Sequence, residues 1–227
     1  RCAARPSRVF QVQALTAMNN APIDLPHPYL LFLGAAADAT FLKTGLGLRD
    51  WARDLCVAEY KCAGAAATLG LPVMHPRAAR EAGAHALVLA TASIGGAIRP
   101  GWIPCLVEAL EAGLDIISGA HGRLSDIDSL RRVAHARGRR LIDVRTPPAG
   151  LPIASGRRRT GKRLLTVGTD CALGKKYTAL ALTRAFRQQG LDADFRATGQ
   201  TGSMIAGSGI PIDSVVSDFV AGAAEVL

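Results

Sequence analysis

The sequence predicts an α/β protein of two successive domains, and three observations carry that prediction. Short apolar runs alternate with helical patterns over 28–145, a Pro- and Arg-rich stretch interrupts the chain at 146–162, and a glycine loop ending in two lysines follows an apolar run at 163–167. At 227 residues, 49% hydrophobic and 20% charged, the chain suits one large or two small α/β domains and is too apolar to be disordered. No apolar run approaches the roughly 18–20 residues that span a bilayer, so no membrane partner is expected. Aromatic residues are only 5%, which argues against stacking platforms for single-stranded nucleic acid.

Residues 1–17 carry Arg1, Arg5 and Arg8 without an acid, and Met18 reads as a natural start. Residues 1–17 are expected to pack nowhere, and the whole of 1–27 to be a disordered leader. In the first domain, 28–145, residues 30–33 read as a buried strand ending at Gly34, and 51–60 as a mixture of helix and a second strand. The run at 86–91 is the next strand; Gly95 and Gly96 mark a loop, and a helix is expected over 101–112, closed by Gly113. Residues 115–118 form a further strand, 119–123 a loop, and Ser125 is the expected N-cap of a helix running to about Arg137 and stopped by Gly138. The last strand is expected at 140–144.

This alternation argues for a parallel sheet with right-handed crossovers, a Rossmann-like architecture. Ligands of such sheets gather at the loops after the carboxyl ends of strands, here 34–38, 91–99 and 119–123. His121 lies in the last of these and reads as a structural loop histidine or, alternatively, as a candidate base or substrate contact. No G-x-G-x-x-G follows any strand, so the dinucleotide fingerprint is absent.

The formal charge is +9, and 123–163 holds all of that excess, with twelve Lys and Arg against Asp126, Asp128 and Asp143. Half of it falls at 131–140 and half on the basic linker at 146–162 and its edge, which also carries Pro147, Pro148 and Pro152. Solvated faces and small anionic ligands account for such runs better than nucleic acid does. The five cysteines, Cys2, Cys56, Cys62, Cys105 and Cys171, give neither a C-x-x-C pattern nor a disulfide framework, and a reducing cytoplasm is expected. The five histidines form no ligand pair at helical spacing, so no metal site is expected.

The second domain, 163–227, opens with the strand 163–167, the loop GTDCALGKK and a helix that places Tyr177, Leu180, Ala181, Ala185 and Phe186 on one face before Gly190. Strand, glycine loop, lysine and helix make a P-loop context, in which backbone N–H groups wrap phosphates and the helix start adds its positive end. Gly168, Thr169, Asp170, Cys171, Ala172, Leu173, Gly174, Lys175, Lys176, Tyr177 and Thr178 are therefore the expected phosphate-binding set. Five residues separate Gly168 from Gly174, the longer loop of the dethiobiotin synthetase type, which also begins Gly-Thr-Asp. Lys176 stands where Ser or Thr ordinarily holds Mg²⁺, and Thr178 lies further round the helix. This favours binding phosphates without hydrolysing ATP. Cys171 reads as a small loop residue rather than a nucleophile.

A strand expected at 193–197 leads to a loop rich in glycine and hydroxyls at 198–213. Arg196 suits a bidentate carboxylate, and Thr198, Gln200, Thr201 and Ser203 are placed to orient one, though each serves equally well as a solvated strand end. Asp213 and Asp218 are candidate bases and equally candidate caps of the last helix, expected over 214–227. That helix has no stop signal, and the P-loop domain is expected to continue beyond it.

The segments PYLLFLG (28–34), EALEAGLDIISGAHGRL (108–124), GRRLIDVR (138–145), GKRLLTVGTDCALGKKYTALAL (161–182) and DADFRATGQTGSMIAGSGIPIDSVVSDFVAGAAE (192–225) resemble the D-glutamate N-acetyltransferase-like family, long filed as P-loop proteins of unknown function. The resemblance spans 28–227 and includes the double lysine. It implies acetyl transfer from acetyl-CoA to the amino group of D-glutamate, with the P-loop cradling coenzyme or nucleotide phosphates. The implied partner is a small D-amino acid, with neither nucleic acid nor membrane, and self-association into a homo-oligomer stays open. Two alternatives remain: an ATP-dependent ligase or kinase of the dethiobiotin synthetase kind, disfavoured by Lys176, and a non-catalytic nucleotide or coenzyme sensor.

Overall fold

In the computed structural model, which describes residues 23–158, 160–170 and 173–227 with the side chain of Ile94 apart, five apolar runs pair into one sheet. The strands are β1 (Tyr29–Phe32), β2 (Cys56–Tyr60), β3 (Ala86–Leu89), β4 (Asp115–Ser118) and β5 (Leu141–Asp143). Their order is β2-β1-β3-β4-β5, and every neighbouring pair is parallel. Every residue of β1, β3 and β4 is buried, so these strands read as continuous apolar runs rather than alternating ones. Four helices join them: α1 (Lys43–Trp51), α2 (Pro76–Glu81), α3 (Ile103–Glu111) and α4 (Asp128–Arg137).

The main core takes alternate residues from the strands, Leu30 and Phe32 of β1 with Leu87 and Leu89 of β3, a spacing that puts them on one face. Against them pack Leu106, Ala109 and Leu110 of α3 and Leu130 and Ala134 of α4. Full burial of a leucine-sized side chain contributes about 1.5–3 kcal/mol, so this cluster dominates the stability of the unit.

Several boundaries differ from expectation. The 51–60 segment resolves into the end of α1, a 3-10 turn at Arg53–Leu55 and then β2. The strand expected at 86–91 ends at Leu89, and the helix expected from 101 opens with a 3-10 turn, Pro100–Trp102. Helix α2 was not anticipated; Pro76 at its start supplies the fixed φ that suits a first turn. Ser125 is not an N-cap: it lies inside the 3-10 turn Leu124–Asp126, and Ile127 precedes α4 without a side-chain cap bond. The turn is tied instead from the neighbouring strand β5, because Leu124 N–H donates to both carboxylate oxygens of Asp143 at 3.1 and 3.3 Å. Gly138, at φ +61, stops α4 as expected.

The leader expected to be disordered over 1–27 is ordered at its end: Leu25 is buried, and Asp24 pairs with Arg140 at 2.6 Å. Residues 1–22 lie outside the described residues.

The chain divides at Thr146, and the second unit runs from Pro147 to Leu227 together with Ile23. It contains α5 (Lys175–Gln188), α6 (Gln200–Ala206), a 3-10 turn at Ile212–Ser214 and α7 (Ser217–Val226). The strands expected at 163–167 and 193–197 are not formed among the described residues. Leu164, Leu165 and Val167 are 63, 78 and 79% exposed. A strand needs a neighbour for its N–H and C=O groups, and apolar character alone does not supply one. Of the face expected on α5, only Leu180 is buried, while Ala181 and Ala185 are exposed. The 198–213 loop contains α6, and the last helix begins at Ser217 rather than 214.

The proline-rich stretch after Thr146 packs within this unit. Leu151 joins Ile210, Ala223 and Val226 in a small apolar cluster. Gly222 of α7 lies so close to the Pro152 carbonyl that a Cβ there would sit 1.7 Å from its oxygen. The Glu225 carboxylate accepts the N–H groups of Ser155 and Gly156, each at 2.7 Å. No helix among the described residues is long and apolar enough to cross a membrane.

Candidate functional site

The phosphate loop is shaped by its two glycines. Gly174 takes φ +97, a left-handed conformation that residues with a Cβ adopt at a cost, and it turns the chain directly into α5. The first N–H groups of a helix have no intrahelical acceptor, so the start of α5 offers donors and a positive dipole end. Lys175, the first residue of α5, folds its side chain back so that Nζ donates to the Asp170 carbonyl. Its stem passes Gly168, where a Cβ would lie 3.4 Å from Lys175 Cδ. The Lys175 carbonyl in turn accepts the Thr166 hydroxyl at 3.0 Å.

Lys176 holds its ammonium 5.5 Å from the centroid of the Tyr177 ring, within cation–π range. The Thr178 hydroxyl donates back to the Gly174 carbonyl at 3.2 Å, so its hydrogen is engaged by the helix backbone. Thr169 and Asp170 are exposed, as is Leu173; Cys171 and Ala172 lie outside the described residues. The described loop thus places two ammonium groups beside a helix start and gives the metal-ligand position to one of them.

The candidate acceptor residues sit in the same unit. Arg196 already holds a carboxylate: its Nε lies 2.8 Å from Asp194 Oδ2, and Arg187 reaches the same side chain at 3.5 Å. Thr198 is exposed, and its carbonyl takes the Ile212 N–H at 3.1 Å. Gln200 and Thr201 lie in the first turn of α6 after Gly199, while Ser203 is buried and donates to the Gly199 carbonyl at 3.1 Å. Asp213 and Asp218 are both exposed, and neither caps α7: Val216 holds the N-cap position without a side-chain bond, while Asp218 falls in the first turn.

His121 belongs to the other unit, after the carboxyl end of β4, and is exposed. Its N–H donates to the Gly96 carbonyl at 2.9 Å, and its ring lies so close to Gly96 that a Cβ there would stand 2.0 Å from Cδ2. This joins the loops after β3 and β4. Gly34, at φ +56 after β1, packs on the Trp102 indole, where a Cβ would come within 2.8 Å of two ring atoms. Asp143, at the end of β5, has its carboxyl raised above the ordinary carboxylate value by burial.

A polar group near the loops that follow the carboxyl ends of the strands escaped sequence reasoning. Tyr60 donates its hydroxyl to Glu108 at 2.6 Å, His75 Nε2 lies 3.4 Å from the same oxygen, and Cys62 Sγ is 3.6 Å from Cys105 Sγ. Burial, with the hydrogen bond to Glu108, pushes the Tyr60 phenol far above its usual value. These residues are scattered along the sequence and meet only once the sheet forms, so no local pattern marks them. Among the described residues, no group of three or more His, Cys, Asp or Glu gathers as a metal ion would need.

Residues 60–147 match a family described as a domain of unknown function, the DUF1611_N Rossmann-like domain, and residues 152–227 match its counterpart, the DUF1611_C P-loop domain. Relatives from Tritonibacter scottomollicae and a Pseudoalteromonas species, each named D-glutamate N-acetyltransferase, are 49% and 44% identical over 200 residues. The alignments cover 88% of this chain and 60% of each relative. A crystal structure of a DUF1611 family protein from Anabaena variabilis is similar with a TM-score of 0.75 at 36% identity, over 88% of this chain and 60% of that one. The chain therefore spans about 60% of the length of the curated relatives it matches.

Proposed function

Since the chain belongs to the DUF1611 family, with the Rossmann-like domain ahead of the P-loop domain, we propose that it serves an N-acetyltransferase that moves acetyl from acetyl-CoA to the amino group of D-glutamate, in the cytoplasm. The name borne by two relatives at 44–49% identity supports the reaction. The observation that carries the role of the loop is Lys176 in the metal-ligand position, with the nearby Thr178 hydroxyl turned back onto Gly174. Such a loop suits a pyrophosphate neutralised by side-chain ammonium groups rather than by Mg²⁺. Coenzyme A carries a pyrophosphate and a further 3′-phosphate, and Lys175 and Lys176 supply matching charge.

In this reading the deprotonated amine attacks the thioester carbonyl, the N–C bond forms, and the C–S bond breaks to release coenzyme A thiolate. The amine proton passes to a base, for which Asp213, Asp218 and His121 are the candidates. Backbone N–H groups stabilise the oxyanion. Arg196 takes a carboxylate of the acceptor in exchange for Asp194, assisted by Thr198, Gln200 and Thr201.

The test is thiol release from acetyl-CoA by the protein at the length its gene encodes, with D-glutamate, L-glutamate or no acceptor, with and without Mg²⁺-ATP. Release that requires D-glutamate and ignores ATP is expected. ADP formation without thiol release would replace this reading with the ATP-dependent ligase or kinase class.

A further inference from the structure

We propose that Cys62 and Cys105 form a reactive dithiol, a modification site at which a low-molecular-weight disulfide is reduced and the two cysteines are joined. Their sulfurs stand 3.6 Å apart, in direct contact, although 43 residues separate them in sequence. Each is presented by a fixed element. Cys62 follows β2, where its N–H donates to the Gly34 carbonyl at 2.9 Å and its carbonyl accepts the Ala65 N–H at 3.2 Å. Cys105 lies in the first turn of α3, one residue before the fully buried Leu106. Both side chains are only partly buried and pack against the edge of the main core, so a small disulfide reaches them without unfolding the sheet. A disulfide needs its sulfurs at about 2.05 Å, a closure of about 1.5 Å from the observed contact.

The exchange balances without an outside electron carrier. The Cys105 thiolate attacks one sulfur of the small disulfide, forming a mixed disulfide and expelling one small thiolate, which takes up the proton Cys105 gave to solvent. The Cys62 thiolate then attacks the Cys105 sulfur, forms the Cys62–Cys105 bond and expels the second small thiolate. Two protein thiols are oxidised and one disulfide is reduced to two thiols. Burial, aided by the hydrogen bond to Cys105, holds the Cys62 thiol up at about 11, so its thiolate fraction, and with it the rate of the second step, rises with pH.

The bond has a structural consequence at the mouth of the sheet. Cys62 is anchored to Gly34, Gly34 packs on Trp102, and Trp102 stands three residues before Cys105. Closing the disulfide therefore ties the segments after β1 and β2 to the start of α3 at the carboxyl edge of the sheet, where parallel sheets take their ligands.

The experiment equilibrates the full-length protein with increasing ratios of oxidised to reduced glutathione, quenches with iodoacetamide and maps tryptic peptides by mass spectrometry. Cys62 and Cys105 fall on separate peptides, 62–77 and 81–123, and Cys56 on a third, 54–61. The expected result is a cross-linked pair of 62–77 with 81–123, loss of alkylation at both cysteines together, continued recovery of 54–61 without a partner, and reversal by dithiothreitol. Cys62→Ser is expected to leave glutathione attached to Cys105 with no cross-link. Wild-type protein that keeps both thiols alkylatable in excess oxidised glutathione, that carries glutathione separately on each, or that joins either to Cys56 would overturn the proposal.

Discussion

Lys175 shows how much of a loop a short stretch of sequence can encode. The spacing of Gly168, Gly174 and Lys175 is encoded within one short stretch, and the structure turns that stretch through a left-handed Gly174 into a helix start with the lysine folded back over the loop. On the proposed reading, in which this loop holds the coenzyme pyrophosphate, Lys175→Ala is expected to raise the KM for acetyl-CoA at least about tenfold, equivalent to roughly 1.4 kcal/mol, with a smaller change in kcat, as measured by initial-rate kinetics. Cys56 supports a second prediction. It is 4% exposed on β2, and burial raises its thiol from 9.0 to about 11. Because the unfolded chain ionises this group first, its contribution to stability is fully present below about pH 9 and is lost as the pH rises through about 11. At about 1.4 kcal/mol per unit, the loss is on the order of 2–3 kcal/mol. Denaturant unfolding at stepped alkaline pH is expected to give a shallower decline for Cys56→Ala than for wild type. Arg196, by contrast, was legible only as a carboxylate binder: its residue type announced the chemistry, and nothing nearby announced that Asp194 would supply the carboxylate.

At the scale of elements, β2 shows how an edge strand can carry a charge inward. Glu59 is fully buried, and its two oxygens accept the Thr68 hydroxyl and the Leu69 N–H, both at 2.7 Å, with Lys61 Nζ at 3.4 Å. The carboxylate fastens the following loop to the strand. Glu59→Ala leaves those donors without their acceptor and is expected to cost about 3 kcal/mol, read as a fall in Tm and as faster amide exchange at Leu69. Strands β1, β3 and β4 were legible because full burial on both faces gives unbroken apolar runs, and the end of α4 because Gly138 must be left-handed. Helix α2 was missed because a six-residue helix barely develops a period. The segment 163–167 misled for the opposite reason. Its apolar pattern matches a strand, yet pairing is a property of two segments, and among the described residues no partner strand lies beside it.

Along the whole chain, positive charge is concentrated in sequence rather than spread. The stretch 123–163 holds the entire +9 excess and straddles the division of the chain at Thr146. Within each unit, exposed cations raise the local concentration of anions, which on the proposed reading suits a coenzyme with a phosphorylated tail. The kind of each domain was legible because one motif and one alternation are local in sequence. The packing of 147–158 was not, since prolines and arginines report only that a segment avoids regular structure. There the chain is held by the Glu225 carboxylate, which captures two successive backbone N–H groups beside the exposed Arg157 and Arg158. That capture governs survival as well as shape. A protease needs several residues in extended, detachable form before it can cut, and here detachment means breaking two charge-assisted bonds at once. Glu225→Gln is expected to hasten tryptic cleavage after Arg157 and Arg158 about tenfold or more in a timed digest, while cleavage after Arg131 and Arg132 keeps its wild-type rate. One carboxylate near the end of α7 thus acts as a latch on an arginine-bearing stretch that trypsin would otherwise open, and it guards the second unit at that point.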